Sequence, residues 1–468
     1  MAVNIWERVR GSMRRSPRPW LIGTSAVVVV ALGAGAFGAG IAVATTKSTA
    51  VATVAATHRP QPTKTPVPGK VRTCSVAGQM SDARLANMQV QVRNANTSEV
   101  LLDRGGALAS RTASVLKVPT TAAALSLLGP DWTASTKVVK GSEPGSVVII
   151  GGGDVTLSRT PSGTRTVYAG APHLDDLASQ VQAAWNADPA NAGQPITKII
   201  VDTSFYSGDA WESSWNRKEE GDGYQAGNSA LMVDGGRDDP NSLVSPRSSD
   251  PAGQAASAFA DLLGGPSIEY GTAPAGAATL GEVRSAPLSS LIPLILLYSD
   301  NVLADSLARH MAVASGSGSD WAAVDGGVKA GLKAYGIDTS PLHFADGSGL
   351  SDNNAVTPNY LTQLFQKINA REGNLGMILD NLPISGQKGS LNYSDRFTGD
   401  NAIADGAVWA KTGWIDTGYT LSGIIYAQDG TPLTFAIYAL GDVTSSAKQA
   451  IDTLAAGVFL CGDNLSNN

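Results

Sequence analysis

The chain has 468 residues, of which 43% are hydrophobic and only 16% are charged, and it contains 52 glycines. This composition is typical of a globular protein with many turns, and it excludes disordered and fibrous proteins. The net charge of −6 is unevenly distributed, because residues 1–20 carry five arginines against the single Glu7. The remaining body is therefore strongly acidic, which excludes nucleic acid as a partner, since phosphate binding requires clustered Lys and Arg.

The N-terminal part of the chain has the pattern of an export signal. Residues 1–19 form a basic tip, and residues 20–44 contain no charged side chain. About 20 apolar residues cross a bilayer core, and arginines that precede such a run stay in the cytoplasm. We therefore predict a single-pass anchor in the cell membrane with an extracytoplasmic catalytic body. The alternative is a secreted body, because Ala42-Val43-Ala44 offers a signal-peptide cleavage site.

The segment between this run and the body, residues 45–73, is rich in Thr, Ala and Pro and predicts an extended linker. The two cysteines, Cys74 and Cys461, bracket the body. An even pair of cysteines outside the cytoplasm predicts a disulfide, with two separate buried thiols as the alternative. Two cysteines and four scattered histidines offer no ligand spacing for zinc, so no metal site is predicted.

The first elements of the body are predicted to be two strands and a helix. Runs at 88–93 and 99–103 are strand-like and favour an antiparallel hairpin. The run from Ser114 to Gly129 is rich in Ala and Leu and predicts a helix, which Gly129-Pro130 would end. Residues 133–283 differ, because strand-like runs alternate there with loops rich in Gly, Asp and Pro. We interpret them as an inserted second domain.

Helical character returns after Pro287, and the chain ends with a predicted hairpin and helix. Two strand-like runs at 418–427 and 433–440 flank a Gln-Asp-Gly turn, and residues 445–460 predict an amphipathic helix. Elements from both ends would then share one core. The fold class predicted is mixed α/β (α+β), with one domain made of residues 74–132 and 284–468.

Three short motifs stand out in the order Ser114-Val115-Leu116-Lys117, Ser299-Asp300-Asn301 and Lys411-Thr412-Gly413. A serine nucleophile needs a base within hydrogen-bond reach, and positions i and i+3 of a helix share one face. The second motif falls between two predicted helices, where loop side chains can point into a cleft. The third precedes the terminal hairpin on an edge-type strand, where Gly413 would let a substrate backbone come close.

Two of the motifs have duplicates, which context distinguishes. Ser385 and Lys388 repeat the Ser-x-x-Lys spacing, but they lie between Pro383 and Gly389, where a helix is disfavoured. The second Ser-Asp-Asn, at 351–353, lies in a glycine-rich stretch and predicts a turn lining the site. The first member of each pair is therefore the predicted functional one.

The ordered triple is the signature of penicillin-binding proteins and class A β-lactamases. Beyond it, the chain resembles the class C low-molecular-mass penicillin-binding proteins, the D-Ala-D-Ala carboxypeptidase/endopeptidases. The resemblance rests on SVLKVPTTAAALSLLGPD after the first motif and on VDTSFYSGDAW, DGSGLSDNNAVTP and AKTGWIDTGYTLSG further along. It covers nearly everything from Cys74 onwards. It implies a penicillin-binding transpeptidase-like domain of helices and antiparallel sheet, with a large domain inserted between the first two motifs.

The resemblance also implies roles for the motif residues. Ser114 would attack the penultimate D-Ala carbonyl while Lys117 takes its proton. Ser299 would relay a proton to the departing amine, and Asn301 would hold the stem-peptide amide.

The third motif would bind the substrate terminus. Lys411 and Thr412 would bind the terminal carboxylate, and Gly413 would allow close approach. The oxyanion would lie between the backbone N–H groups of Ser114 and Trp414. Trp414 departs from the family pattern, because many relatives have Thr or Ser at this position.

The function implied is that of a serine D-alanyl-D-alanine carboxypeptidase acting on peptidoglycan stem peptides, with DD-endopeptidase action on cross-links left open. It would need no metal and no organic cofactor, and β-lactam antibiotics would inhibit it covalently. One alternative is a β-lactamase, which would hydrolyse its acyl-enzyme quickly. Another is a catalytically silent cell-wall-binding protein of the same fold.

Overall fold

The computed structural model describes residues 70–85 and 87–467. The predicted basic tip, the anchor or signal segment and most of the linker lie outside these residues. Among the described helices, none is both long and apolar enough to cross a membrane. The helices are α1 (Ala77–Met80), α2 (Lys117–Leu127), α3 (Leu174–Ala187), α4 (Lys218–Asp222), α5 (Pro251–Leu262), α6 (Leu288–Leu296), α7 (Asn301–Ala314), α8 (Val324–Leu332), α9 (Pro358–Asn369), α10 (Gly376–Asp380) and α11 (Ala447–Cys461). The strands are β1 (Asn87–Asn94), β2 (Val100–Arg104), β3 (Ser135–Lys140), β4 (Ser146–Gly151), β5 (Lys198–Asp202), β6 (Ser267–Tyr270), β7 (Thr279–Arg284), β8 (Val408–Ile415), β9 (Gly418–Tyr426) and β10 (Pro432–Leu440).

The first sheet joins the two ends of the chain. Its order is β2-β1-β10-β9-β8, with every neighbouring pair antiparallel. Both predicted hairpins are present, as β1–β2 and β9–β10. Strand β8, which carries the third motif, lies at the edge, as its sequence context indicated.

Helices cover both faces of this sheet, which explains why β10 is an almost continuous apolar run rather than an alternating one. Ala436 and Tyr438 point into a core shared with α2, α6, α7, α8 and α9. Phe435 and Ile437 point the other way, into a core shared with α11. Side chains alternate between the faces of a strand, so each face supplies one core.

The cysteines form the predicted disulfide. Cys74 and Cys461 are 5.4 Å apart between Cα atoms and 387 residues apart in sequence. The backbone supports the same junction, since Cys74 N donates to the Asn464 carbonyl at 3.1 Å and Ser466 N donates to the Cys74 carbonyl at 2.8 Å. The beginning of the body is thereby attached to the end of α11.

A second sheet, of order β6-β5-β4-β3-β7, forms between the first and second motifs. Strands β4, β5 and β6 are parallel, whereas β3 is antiparallel to β4 and β7. Its apolar side chains pack with α3 and α5 into a separate core, where Val181 and Phe259 are fully buried. The predicted mixed α/β class, with a large insertion between the first two motifs, is confirmed.

Candidate active site

Ser114 lies in a tight turn immediately before α2. Residues Ala113–Leu116 form a 3-10 turn and α2 begins only at Lys117, so the predicted helix starts later than its sequence indicated. Ala113 has a φ of +46°, a left-handed conformation that is unfavourable for a residue with a side chain. The turn is anchored on β9, because Thr420 Oγ1 donates to the Thr112 carbonyl at 2.6 Å.

Lys117 connects the turn that carries Ser114 with the second motif. Its Nζ donates to Ser114 Oγ at 2.9 Å, to Asn301 Oδ1 at 2.6 Å and to the Ser348 carbonyl at 2.7 Å. All three donor positions of an ammonium group are thus occupied. The side chain is fully buried at the start of α2, where a free charge would otherwise be costly.

Burial lowers the pKa of Lys117 to about 8, opposed by the negative charges of Asp305, Asp346 and Asp300. Desolvation disfavours the ammonium form, and nearby carboxylates favour it. The balance gives a lysine that is partly neutral near physiological pH, which is the protonation behaviour that a general base requires.

The second motif lies between α6 and α7, as predicted. Ser299 has a φ of +60°, again left-handed for a residue with a side chain. Asp300 caps α7, because its Oδ1 accepts from Leu303 N at 3.0 Å. Asn301, the first residue of α7, bonds to Lys117 through its Oδ1 and donates from its Nδ2 to the Tyr224 carbonyl at 3.2 Å.

The third motif lies against both others. Lys411 is fully buried, and its Nζ donates to Ser299 Oγ at 3.0 Å and to the Thr412 carbonyl at 2.9 Å. Burial lowers the pKa of Lys411 well below its usual value, and the charge of Lys117 lowers it further. The Thr412 hydroxyl lies 2.7 Å from the hydroxyl of Ser390.

Gly413 is required by the packing of β8 on the nucleophile turn. A Cβ atom at this position would lie 2.7 Å from the Thr112 carbonyl oxygen and 3.0 Å from Ala113 Cβ. Both distances are shorter than van der Waals contact. The glycine therefore lets the edge strand approach the turn that carries Ser114.

These residues open onto one cleft with a volume of about 670 Å³. Lys117 and Lys411 are buried beneath it, whereas the Trp414 side chain is 52% exposed and stacks on Tyr419 with 6.1 Å between ring centroids. The motif residues that line the cleft are Ser114, Ser299, Asn301, Thr412, Gly413 and Trp414.

The duplicate Ser-x-x-Lys has a different environment. Ser385 is buried, and its Oγ donates to the Ala404 carbonyl at 2.6 Å. Lys388 Nζ donates to the Asp380 carbonyl at 2.6 Å. The two side chains bind separate carbonyls and make no serine–lysine pair. The duplicate Ser-Asp-Asn forms a turn, of which Asp352 lines the cleft.

Sequence reasoning did not identify two buried carboxylates that shape the site. Asp305 Oδ1 accepts from Gly347 N at 2.9 Å and from Ser348 N at 2.8 Å. Asp346 accepts from Gly349 N and Ser351 N, both at 2.7 Å. They hold the loop whose Ser348 carbonyl accepts from Lys117. One signal was available for Asp305, since it lies four residues after Asn301 and therefore on the same face of α7.

Comparisons with known proteins agree with this arrangement. The model of the D-Ala-D-Ala carboxypeptidase 3 (S13) family matches residues 73–243 and 238–458. The chain belongs to this family. Among curated relatives, carboxypeptidase DacB of Mycolicibacterium smegmatis is 36% identical over 83% of this chain and 84% of that protein. A carboxypeptidase of Mycobacterium tuberculosis is 33% identical over the same shares.

Among solved structures, penicillin binding protein 4 of Haemophilus influenzae matches with a TM-score of 0.64 and 19% identity, over 79% of this chain and 94% of that one. At this identity the likeness concerns the fold, and it confirms the transpeptidase-like fold with an inserted domain. Membership of the family confirms the implied activity. The chain is a serine-type D-Ala-D-Ala carboxypeptidase.

Proposed function

We propose that Ser114 is the nucleophile of this carboxypeptidase and that Lys117 is its general base. The observation that carries the proposal is the 2.9 Å contact between Lys117 Nζ and Ser114 Oγ. Because burial lowers the pKa of this lysine to about 8, about a tenth of it is neutral at pH 7. The neutral amine takes the hydroxyl proton as Ser114 Oγ attacks the penultimate D-Ala carbonyl carbon.

Charge that develops on the attacked carbonyl oxygen would be stabilised by the backbone N–H groups of Ser114 and Trp414. Collapse of this intermediate breaks the peptide bond, forms an ester on Ser114 and releases D-Ala. Ser299 relays to the departing amine the proton that Lys117 took from Ser114, so that Ser299 keeps a hydroxyl and Lys117 becomes neutral again; Lys411 lies beside this relay, with its Nζ 3.0 Å from the Ser299 hydroxyl. Water then attacks the ester while the neutral Lys117 accepts its proton; the bond to Ser114 Oγ breaks, Lys117 returns the proton to that oxygen, and the shortened peptide leaves as a carboxylic acid.

Recognition of the substrate terminus is assigned to the third motif. Thr412 lines the cleft, and its hydroxyl is paired with that of Ser390, so two hydroxyls are available to the terminal carboxylate. Lys411 lies beneath them. An arriving carboxylate favours its ammonium form and raises its pKa. Asn301, held between Lys117 and the Tyr224 carbonyl, presents its amide to the stem peptide.

The substrate proposed is the D-Ala-D-Ala end of a peptidoglycan stem peptide, outside the cytoplasm. The name of the structural relative, penicillin binding protein 4, supports β-lactams as covalent inhibitors. The arginines at the N terminus and the uncharged residues 20–44 support a membrane anchor, with the body outside.

The test is covalent labelling by penicillin followed by peptide mapping. The wild type should gain the mass of one penicillin on the peptide that contains Ser114. Ser114→Ala should lose both labelling and D-Ala release from a synthetic stem peptide. Lys117→Ala should acylate about 10²–10⁴-fold more slowly, the usual contribution of a general base.

Ser385→Ala is the matched control, because it removes the serine of the duplicate motif. It should label like the wild type. Normal labelling of Ser114→Ala, or a label mapped to Ser385, would refute the assignment of the nucleophile.

A further inference from the structure

The middle residue of the second motif, Asp300, is buried and receives contacts from the inserted region. Its Oδ2 accepts from Arg237 Nη2 at 2.9 Å and from the Tyr168 hydroxyl at 3.1 Å. The exposed fractions of the Arg237 and Asp300 side chains are 1% and 3%. A buried ion pair of this kind contributes little net stability compared with apolar packing, so a role in fixing geometry is its better-supported use.

Arg237 is itself held by other residues of the inserted region. Its Nη1 donates to the Tyr168 hydroxyl at 2.8 Å and to the Asp234 carbonyl at 3.0 Å. Its guanidinium carbon lies 4.9 Å from the centroid of the Tyr168 ring. The guanidinium is therefore fixed before it meets Asp300, which makes it a rigid support for that carboxylate.

Fixing Asp300 fixes the two catalytic side chains on either side of it. Oδ1 of Asp300 accepts a hydrogen bond from the Leu303 N–H at the start of α7, so both carboxylate oxygens have hydrogen-bond partners. Ser299 precedes it in a left-handed conformation with a φ of +60°. Such a conformation persists only where surrounding contacts impose it. The bonds to Asp300 supply that constraint.

Further contacts from the inserted region reach the first turns of α7. The Tyr224 carbonyl accepts from Asn301 Nδ2, Gln225 Nε2 donates to Asp305 Oδ2 at 2.8 Å, and Asn228 Nδ2 donates to the Val302 carbonyl at 2.9 Å. The insertion thus contacts consecutive residues of the helix that carries Asn301.

We propose that Arg237 is a positioning residue for catalysis, which holds Asp300 and thereby places the Ser299 hydroxyl and the Asn301 amide. The proposal rests on the proposed function, since it concerns the same Ser299 and Asn301. It gives the inserted region a part in the reaction, although none of the three motifs lies within it. Arg237 does not line the cleft and acts through Asp300.

The charge of Arg237 gives the proposal a second readout. The charged groups around Lys117 are Asp300 directly before α7, Asp305 within α7, Asp346 in the loop before α9, and Lys411 on β8. Asp300 raises the pKa of Lys117, and the positive charge of Arg237 offsets Asp300. Burial raises the pKa of Asp300, whereas the charges of Arg237 and Arg247 lower it.

The experiment measures acylation by a fluorescent penicillin as a function of pH in Arg237→Met. We expect the acylation rate constant at saturation to fall about 10- to 100-fold, while the concentration for half-saturation changes less than about threefold. The acid limb of the pH profile should move, because the charge next to Lys117 changes: to higher pH if Asp300 stays ionised and is no longer offset, and to lower pH if Asp300 takes up a proton. Arg237→Lys, which keeps the charge, should retain the wild-type pH profile.

Arg93→Met is the matched control. Arg93 is also a buried arginine, but it bonds to Asn359 and to the Ser98 carbonyl at the far strands of the first sheet. It should leave both the rate and the profile unchanged. Wild-type acylation by Arg237→Met, or a loss with an unmoved acid limb, would overturn the proposal.

Should Arg237→Met fail to fold, Tyr168→Phe decides, because it removes the hydroxyl that donates to Asp300 and accepts from Arg237. Acylation about 3- to 10-fold slower than wild type supports the proposal, and acylation at the wild-type rate overturns it. Failure of the proposed function is distinct from both results, since the wild-type protein would then take up no penicillin on Ser114.

Discussion

Two buried lysines, Lys117 and Lys411, define the chemistry at the level of single residues. Both are fully buried and each bonds to a serine hydroxyl, Lys117 to Ser114 and Lys411 to Ser299. Burial lowers the pKa of both lysines, and the charge of Lys117 lowers the pKa of Lys411 further. In the proposed mechanism these two lysines move protons near neutral pH, a task for which the usual pKa of histidine is suited.

The first prediction concerns pH. Only the neutral form of Lys117 accepts the proton of Ser114, and its pKa is about 8. The acylation rate should therefore rise with pH, by about tenfold per pH unit below the pKa, and level off above it. Stopped-flow measurement with a chromogenic β-lactam would follow this limb. A rate that is constant from about pH 6 to about pH 9 would mean that another group serves as the base.

The second prediction concerns the substrate carboxylate. Thr412→Val removes the hydroxyl that is paired with Ser390 while keeping the shape of the side chain. We expect kcat/KM for peptides with a free C-terminal carboxylate to fall about 10- to 150-fold, equivalent to a lost hydrogen bond to a charged group of about 1.5–3 kcal/mol. C-terminally amidated peptides are the control and should change little. Equal losses on both substrates would show that the Thr412 hydroxyl does not bind the terminal carboxylate.

How far the sequence predicts the site depends on whether a residue belongs to a local motif. Ser114 and Lys117 were predictable because their spacing brings them together within one turn. Arg237 and Ser390 were not, because their positions depend on long-range packing. Arg237 meets Asp300 only when the insertion folds back on α7. The late start of α2 was missed too, because the strain at Ala113 comes from its contacts with β8 and β9.

At the level of elements, the contact between β8 and the nucleophile turn controls the width of the site. Thr420 of β9 bonds to the Thr112 carbonyl, and Gly413 of β8 faces the same carbonyl without a side chain. Glycine in a strand usually weakens it, and here it marks a close backbone approach. The strand proposed to bind the substrate terminus and the turn proposed to carry the nucleophile are thus in direct contact.

The third prediction follows from this contact. In Gly413→Ala, the new methyl group would lie 2.7 Å from the Thr112 carbonyl, so β8 or the turn must shift. We expect penicillin acylation to fall at least about 100-fold, since a displacement near 1 Å has effects of that size. Stability should fall by only about 1–3 kcal/mol, the usual cost of overpacking.

Gly418→Ala is the matched control for this change. Gly418 begins the neighbouring strand β9, and its new methyl group would meet the flexible Leu440 side chain at 3.2 Å. It should cost some stability and keep acylation close to wild type. Equal acylation losses in both variants would indicate a general effect on the hairpin.

At the level of the whole molecule, the disulfide joins residues that are 387 positions apart. Closing so long a loop restricts the unfolded chain strongly, so we expect Cys74→Ser/Cys461→Ser to lower the free energy of unfolding by about 2–4 kcal/mol. Urea unfolding of the oxidised wild type and the double variant would measure the difference. Both cysteines are far from the motifs in sequence, and the backbone of Cys74 also bonds to Asn464 and Ser466, so the folded variant should still be acylated by penicillin.

The fifth prediction concerns topology and depends on residues outside the described part. The arginines before residue 20 predict that residues 1–19 are cytoplasmic and that residues 46–468 are exported. Protease added to intact spheroplasts should digest the body and leave a fragment of a few kilodaltons in the membrane. Complete protection of the body would refute this orientation.

The pairing of β1 with β10 has a consequence for the timing of synthesis. The strands of the second sheet come from one continuous stretch, from β3 to β7, so this part can fold as soon as it emerges. The first sheet has to wait, because β1 emerges early and β8, β9 and β10 emerge last. Ser114 and Lys117 are made long before Lys411, and β8 adds its lysine only when the nascent chain is nearly finished. With the roles proposed for these lysines and the predicted export, a chain delivered from its N terminus would gain its hydrolytic power in the last moments of its delivery, in the compartment where the proposed substrate lies.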